Sequence, residues 1–403
     1  MSEMKQSGRE CKRRVLVVTG TRAEFGLLRP VMNAVLDREE LELVVVAAGS
    51  HLVQPALTYR EVKAEFEVAD SVPMQVAGKV GRREDVEAVG RGISRFGRSF
   101  TMLEPDWVVV LGDRIEAFAA ASAASIGGWA LAHIHGGDRA EGVADEAMRH
   151  AITKLSQLHL PATAGSGERI LRMGEDPDRV FVVGSPAVDG LGVVPEMSDA
   201  DFGELGSPEV VVMMHPCGRS DEIEGAEMRK VLEAVKGKRV VVMAPNLDAG
   251  RRGILDAIGE VVGKEKTPSV RCADTSPGSP GEAGRFVVRD HLVRDEFVGL
   301  LKRVGREGGA LVGNSSSGLI ECSVIGCPSV DVGVRQSGRE RCSGWTVHVD
   351  AEGVGSALVD ITSRTERGEE HPYGDGAAGV AIARVLAEVD PSVDGFVRKR
   401  CVY

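Results

Sequence analysis

Short, nearly continuous apolar runs separated by longer amphipathic stretches constrain this chain more than any other feature. In the first half they are Val15–Thr19, Leu43–Ala47, Trp107–Leu111, Leu131–His135, Leu158–Pro161 and Val180–Val183. Each is rich in Val, Leu or Ile, and none alternates with polar residues. That is how a strand buried on both faces of a parallel sheet reads. Helical patterns lie between them, over Leu27–Leu36, Ile115–Ser125 and Glu146–Leu155. The alternation predicts a doubly wound α/β sheet. Leu191–Pro208, with its Gly, Pro, Ser and acidic residues, reads as a linker. Beyond it the pattern restarts, at Val210–Met214, Arg239–Met243, Arg285–Val288, Ala310–Val312, Ser329–Val332 and Thr346–Val349. Two Rossmann-like halves follow, without a visible sequence repeat. Lys264–Gly284 reads as an exposed loop insertion.

The length of 403 residues suits two domains, each with its own core. Lys plus Arg total 49 against 60 Asp plus Glu, a formal charge of −11. That balance excludes a nucleic-acid-coating protein, which needs a basic face. It leaves room for one small anion in a locally basic pocket. The seven cysteines are scattered without CxxC spacing. They read as inert thiols in a reducing cytoplasm rather than as a metal site or disulfide scaffold. No apolar run approaches a membrane span, and Met1–Arg14 has no apolar core of a signal peptide.

In open α/β sheets ligands bind beyond the carboxyl ends of the strands, so the residues after each run are the candidates. Gly20-Thr21-Arg22-Ala23-Glu24 opens the first helix, where free N–H groups and Arg22 could meet an anion. A strand-to-helix turn with a solvated Arg is the plain alternative. His51, after the second run, is equally a ligand or a satisfied core group. Gly112-Asp113-Arg114 places a carboxylate beside a guanidinium. Asp113 is a proton-transfer candidate or an N-cap. In His133-Ile134-His135-Gly136-Gly137-Asp138 the two histidines share one side of an extended strand, which suits proton transfer ahead of metal binding. Asp145 is an N-cap or a catalytic carboxylate. In the helix that follows, Ala147, Ala151 and Leu155 share a face, and Arg149, Thr153 and Lys154 fall outside it, towards surface or interface.

The second half repeats the theme with His215, then Asn246 and Asp248, then His291. Gly313-Asn314-Ser315-Ser316-Ser317-Gly318 opens a helix, and Ser315 and Ser316 offer donors to phosphate oxygens. Glu321, further along it, could accept from a ribose diol. Arg335 follows another strand as a further anion donor. The GK[ST] ending of a P-loop and the GxGxxG of a dinucleotide fold are both missing.

Taken in order, the GTRA, GDR, HIHGG, RHAITK, GNSSSG, GVRQSGR and YGDG blocks (the last Tyr373–Gly376) resemble the hydrolysing UDP-N-acetylglucosamine 2-epimerases of sialic-acid and related nonulosonic-acid synthesis. The resemblance covers nearly the whole chain. It implies a GT-B-type fold, two Rossmann-like doubly wound domains facing a central cleft. The boundaries expected are 1–195 for a first domain with the catalytic carboxylates, 196–375 for a nucleotide-binding domain, and 376–403 for a C-terminal helix packing back on the first. It implies a UDP-sugar held by His215, Asn246, Asp248, His291, Ser315, Ser316, Glu321 and Arg335, with Arg22 and Arg114 reaching from the first domain. Asp113 and Asp145 match the family's catalytic carboxylates, and His135 stands where some members carry Glu. No cofactor and no metal are implied. The protein would be a cytoplasmic homo-oligomer, a dimer or tetramer. The activity expected is conversion of UDP-GlcNAc and water to N-acetylmannosamine and UDP. The alternatives are the same reaction on UDP-2,4-diacetamido-2,4,6-trideoxyglucose, a non-hydrolysing epimerase, a GT-B glycosyltransferase, or a non-catalytic nucleotide-sugar sensor.

Overall fold

A computed structural model describes residues 12–54, 56–79, 81–140, 146–246, 248, 250–264, 286–368 and 371–402. The chain divides into two compact units. The first runs to Gly137, resumes over Ala147–Pro186 and includes the chain from Ala377 onward; the second is Asp138–Glu146 with Ala187–Gly376.

The first unit holds six parallel strands: β1 (Arg13–Thr19), β2 (Leu41–Ala48), β3 (Val68–Val72), β4 (Trp107–Leu111), β5 (Ala130–Ile134) and β6 (Leu158–Leu160). Their order is β3-β2-β1-β4-β5-β6. The second holds β7 (Val210–Met213), β8 (Val240–Met243), β9 (Phe286–Arg289), β10 (Ala310–Gly313), β11 (Ser329–Val332) and β12 (Thr346–Val349), ordered β12-β11-β10-β7-β8-β9. Read from β9, that is the same winding. Each sheet reverses direction of growth at one point, between β1 and β4 and between β7 and β10, and at such a point a crevice opens beyond the strand ends.

The apolar runs are continuous because both sheet faces are covered. Val15 and Val17 of β1 belong to one buried cluster, Leu16 and Val18 to another on the opposite face. The helix Ala378–Glu388 packs on Arg22–Leu36, adding Ile382, Ala383 and Leu386 to the cluster of Leu28, Val31 and Met32. Its last carbonyls are capped from the sheet. Arg13 donates to Leu386, Ala387 and Val389 at 2.8, 2.5 and 2.9 Å, and Trp107 Nε1 donates to Leu386 at 3.1 Å.

Three elements differ from the sequence reading. β3 goes unannounced because it is an edge strand, Val-Ala-Asp-Ser-Val, with only Val72 buried. Val180–Val183 is not a strand. Only Val180 bridges to His159, and the segment lies extended along the sheet edge with Phe181 N–H donating to His159 O at 2.9 Å. Leu191–Pro208 is more than a linker. Ser198 caps a helix over Asp199–Glu204, which buries Phe202 and then Leu205 in the second unit. The loop expected over Lys264–Gly284 lies, but for its first residue, outside the described residues. Among those described, no helix is long and apolar enough to cross a membrane.

Candidate active site

In the first unit, the turn after β1 is built around two buried glutamates. Thr21 caps the Arg22–Leu36 helix by accepting from Glu24 N–H at 3.3 Å. The Glu24 carboxyl folds back and its Oε2 accepts from Gly20 N–H at 2.7 Å. Burial pushes this carboxyl up to about 8, and Glu116 nearby adds to the rise. Gly20 is needed because a Cβ there would lie 2.5 Å from Glu116 Cβ; at Gly49, φ +57°, a Cβ would lie 2.3 Å from Glu116 Cγ. These glycines make room for Glu116, whose Oε1 accepts from Gln75 at 2.8 Å. Arg22 is ion-paired with Glu61 at 3.1 Å. His51 is a satisfied core group, bracketed by Thr19 Oγ1 at 3.0 Å and Thr58 Oγ1 at 2.6 Å. Burial lowers it to about 4, so it is neutral.

After β4, Gly112 turns at φ +75° and Arg114, not Asp113, occupies the N-cap position of the Ile115–Gly127 helix. Asp113 instead forms an ion pair with Arg149, whose side chain is 3% exposed. This corrects the helical-face reading. The buried side of Glu146–Leu155 carries Arg149, Ile152 and Thr153, at the i, i+3, i+4 spacing, while Ala147 is exposed. Sequence reasoning sent Arg149 and Thr153 outward because polar residues are mostly exposed. Their spacing around Ile152 was the available signal.

His133 and His135 do not share a strand face. His133 is fully buried; its Nε2 donates to Gly112 O at 2.8 Å and its Nδ1 meets Thr153 Oγ1 at 3.1 Å. A carbonyl only accepts, so Nε2 carries the proton. The strand ends at Ile134, and His135 takes the left-handed conformation, φ +62°. Its Nε2 lies 2.9 Å from Ser185 Oγ. Gly136 and Gly137 fit the protein's own atoms rather than a ligand. A Cβ on Gly136 would lie 2.8 Å from His133 Nδ1, and one on Gly137 2.3 Å from Ser166 O. Arg169 Nε pins Gly137 O at 2.6 Å. Asp145 lies outside the described residues.

In the second unit, candidates gather at the β7/β10 switch around Asn314. Its Oδ1 accepts from His215 N–H at 2.7 Å and its Nδ2 donates to His215 O at 2.8 Å, tying the two strand ends together. Its own carbonyl accepts from Arg335 Nη1 at 3.3 Å and Gln336 Nε2 at 2.9 Å. Asn246 N–H donates to His215 Nδ1 at 3.2 Å, which places the ring proton on Nε2. Burial, then the charge of Arg335, lowers His215 to about 3. It is therefore a neutral donor. Asn246 Nδ2 donates to Asp248 at 2.5 Å. Ser315 is buried and Ser316 half-buried at the start of a single-turn helix, Ser317–Ile320. The one helix expected there, with Glu321 along it, is two short ones, Cys322–Ile325 following Glu321. Glu321 is ion-paired with Arg294 at 3.1 Å, and His291 is exposed after β9. Asn314, quoted in a motif but assigned no role, is the organiser that sequence reasoning missed.

Residues 33–387 match the family described as UDP-N-acetylglucosamine 2-epimerase. A hydrolysing UDP-N,N′-diacetylbacillosamine 2-epimerase of Legionella pneumophila is 31% identical, over 94% of this chain and 96% of its own. A UDP-N-acetylglucosamine 2-epimerase of Neisseria meningitidis serogroup B is 30% identical over 84% of each chain. Among solved structures, the S. aureus MnaA–UDP complex superposes with a TM-score of 0.73 at 17% identity, covering 97% of this chain and 100% of that one. The Methanocaldococcus jannaschii UDP-GlcNAc 2-epimerase bound to UDP-GlcNAc and UDP gives 0.71 at 17% identity, over 93% and 99%. The GT-B-type fold is thus shared, and the chain belongs to the UDP-N-acetylglucosamine 2-epimerase family, as an enzyme acting on UDP-sugars.

Proposed function

We propose that this enzyme is a hydrolysing 2-epimerase: it releases UDP from a UDP-2-acetamido sugar and frees the sugar inverted at C2. A proton leaves C2 as the C1–O bond to UDP breaks, giving a glycal. Water adds at C1, with its hydroxyl bonding carbon, and a proton returns to C2 on the other face. Two opposed acid/base groups are needed, each worth about 100- to 10,000-fold. Asp113, His135 and Asp145 form that set. The observation that carries the reading is the Asp113–Arg149 pair. A strand-end carboxylate freed from capping duty is held in one orientation by a buried guanidinium. His215 Nε2–H, Ser315, Ser316 and Arg335 hold the departing diphosphate.

For the sugar, two observations favour UDP-N,N′-diacetylbacillosamine, the 2,4-diacetamido-2,4,6-trideoxy substrate, over UDP-GlcNAc. One is His135 in the HIHGG block. The other is the near-complete coverage by the Legionella relative. That reverses the order expected from sequence. A cytoplasmic location and a dimer or tetramer complete the proposal. Incubating the enzyme with each UDP-sugar in D₂O and following products by NMR tests it. Free 2-epimerised sugar with deuterium at C2 is expected, faster from the diacetamido substrate. Accumulation of an intact UDP-linked 2-epimer would overturn hydrolysis, and faster turnover of UDP-GlcNAc would restore the original order.

A further inference from the structure

We infer that Gln336 is a positioning residue for anion binding: by donating to the carbonyl of Asn314 it fixes the peptide plane that aims the Ser315 N–H at a phosphate oxygen. This rests on the reading of the turn after β10 as a holder of the diphosphate. Asn314 is buried, and each of its polar atoms is engaged. Its N–H donates to Met213 O at 3.1 Å, and its side chain both accepts from and donates to the His215 backbone. Its carbonyl accepts from Gln336 Nε2 at 2.9 Å and from Arg335 Nη1 at 3.3 Å. Gly313, just before it, lies so close to β7 that a Cβ would stand 2.0 Å from Met213 O. A trans peptide is planar, with its C=O and N–H pointing opposite ways. Holding the Asn314 carbonyl on one side therefore turns the Ser315 N–H to the other.

The later N–H groups of the turn are used internally. Ser317 donates to Ser315 Oγ at 3.3 Å, Gly318 to Ser315 O at 3.2 Å and Leu319 to Ser316 O at 3.0 Å. Among the described residues the Ser315 and Ser316 N–H groups have no acceptor. Backbone donors are normally paired, and two adjacent ones left over suit an anion. Gln336 itself carries a sign of this duty. It is buried, and because a carbonyl only accepts, the amide must face Asn314 with its nitrogen. Its Oε1 is then buried with no partner among the described residues. Methionine would fill the same space without a buried, unpaired oxygen. What the amide adds is the donor. Nothing in this role requires Gln336 to touch the nucleotide; it acts through the Asn314–Ser315 peptide.

Gln336→Met tests this, with affinities for UDP and for uridine measured by calorimetry and by ligand-observed NMR titration. The substitution removes the unpaired acceptor together with the donor, so the fold should be retained; Gln336→Leu takes its place if it is not. UDP should bind about tenfold more weakly, while uridine, which carries no phosphate, should change less than about twofold. An unchanged affinity for UDP would overturn the inference. So would equal losses for UDP and uridine, since a residue that merely supports the pocket would weaken both alike. Wild-type protein that binds UDP no more tightly than uridine would instead overturn the reading of the turn as a diphosphate holder, and this inference with it.

Discussion

The two units share one winding and one device, and differ in what the device is made of. In each, the first strand turns into its helix around a buried glutamate from that helix. Glu24 accepts from Gly20 N–H at 2.7 Å; Glu224 accepts from Cys217 N–H at 2.7 Å and Arg219 N–H at 3.2 Å. Glu224 is also clasped by the Arg219 guanidinium at 2.9 Å, and Glu227 joins the same cation. Glu24 faces a second buried carboxyl, Glu116, and is held up to about 8. One turn is thus locked by an ion pair and the other by a carboxyl that is mostly protonated at neutral pH. The pattern extends along each switch point. The first unit collects carboxyls and imidazoles, Asp113, His133 and His135. The second collects donors, His215, Ser315, Ser316 and Arg335. One winding thus carries the proposed proton-transfer groups in the first unit and the proposed anion donors in the second, the division that the proposed reaction calls for.

The sharpest break in that comparison should come from Asp113→Asn. Turnover should fall about 100- to 10,000-fold, with UDP affinity by calorimetry changed less than about threefold. Asp145→Asn should behave alike; near-normal turnover there would return Asp145 to helix capping. Asn314→Ala should do the reverse. It removes the two side-chain hydrogen bonds to the His215 backbone and should destabilise the fold by about 1–3 kcal/mol in denaturant titration. UDP affinity should fall about tenfold, a loss of about 1.4 kcal/mol, because the backbone of His215 loses its side-chain tie to the β10 end. Equal losses of binding in the two variants would erase the division of labour.

The scaffold was legible because burial on both sheet faces writes itself as unbroken apolar runs, and strand ends as the polar residues that follow. β3 was not, since an exposed edge strand needs no apolar pattern. Of the proposed site, Asp113, His135, His215 and Arg335 could be read as candidates from their places beyond strand ends. Their partners could not. Arg149, Thr153, Ser185 and Asn314 act across 50 or more positions of sequence, or from a helix face whose buried stripe is polar. Glycines misled for a related reason. Gly20 and Gly49 signal space, and only three-dimensional packing shows that Glu116 fills it.

The glutamate pair gives the finer prediction. Glu224→Gln leaves Arg219 without its principal counter-charge in a part-buried place and should cost about 1–2 kcal/mol after allowing for solvent screening. Glu24→Gln should cost less than about 1 kcal/mol at pH 7, because an amide reproduces a protonated carboxyl and its carbonyl can still accept from Gly20 N–H. The two should part company most clearly in pH. Glu24 titrates near 4.5 when unfolded and near 8 when folded, so between those values the folded state holds the extra proton. The contribution of Glu24 must then fall as pH rises through that window and level off above it, opposite in sign to an ion-paired carboxylate. His51 and His215, both lowered, pull the other way below about pH 6.5, so the difference between variants is what isolates Glu24. From pH 5 to pH 8.5 the melting temperature of the wild type relative to Glu24→Gln should fall, while that relative to Glu224→Gln should not follow this trend. A Glu24→Gln profile parallel to wild type would mean that the carboxyl is ionised in the fold at neutral pH, and that the first turn, like the second, is held by charge.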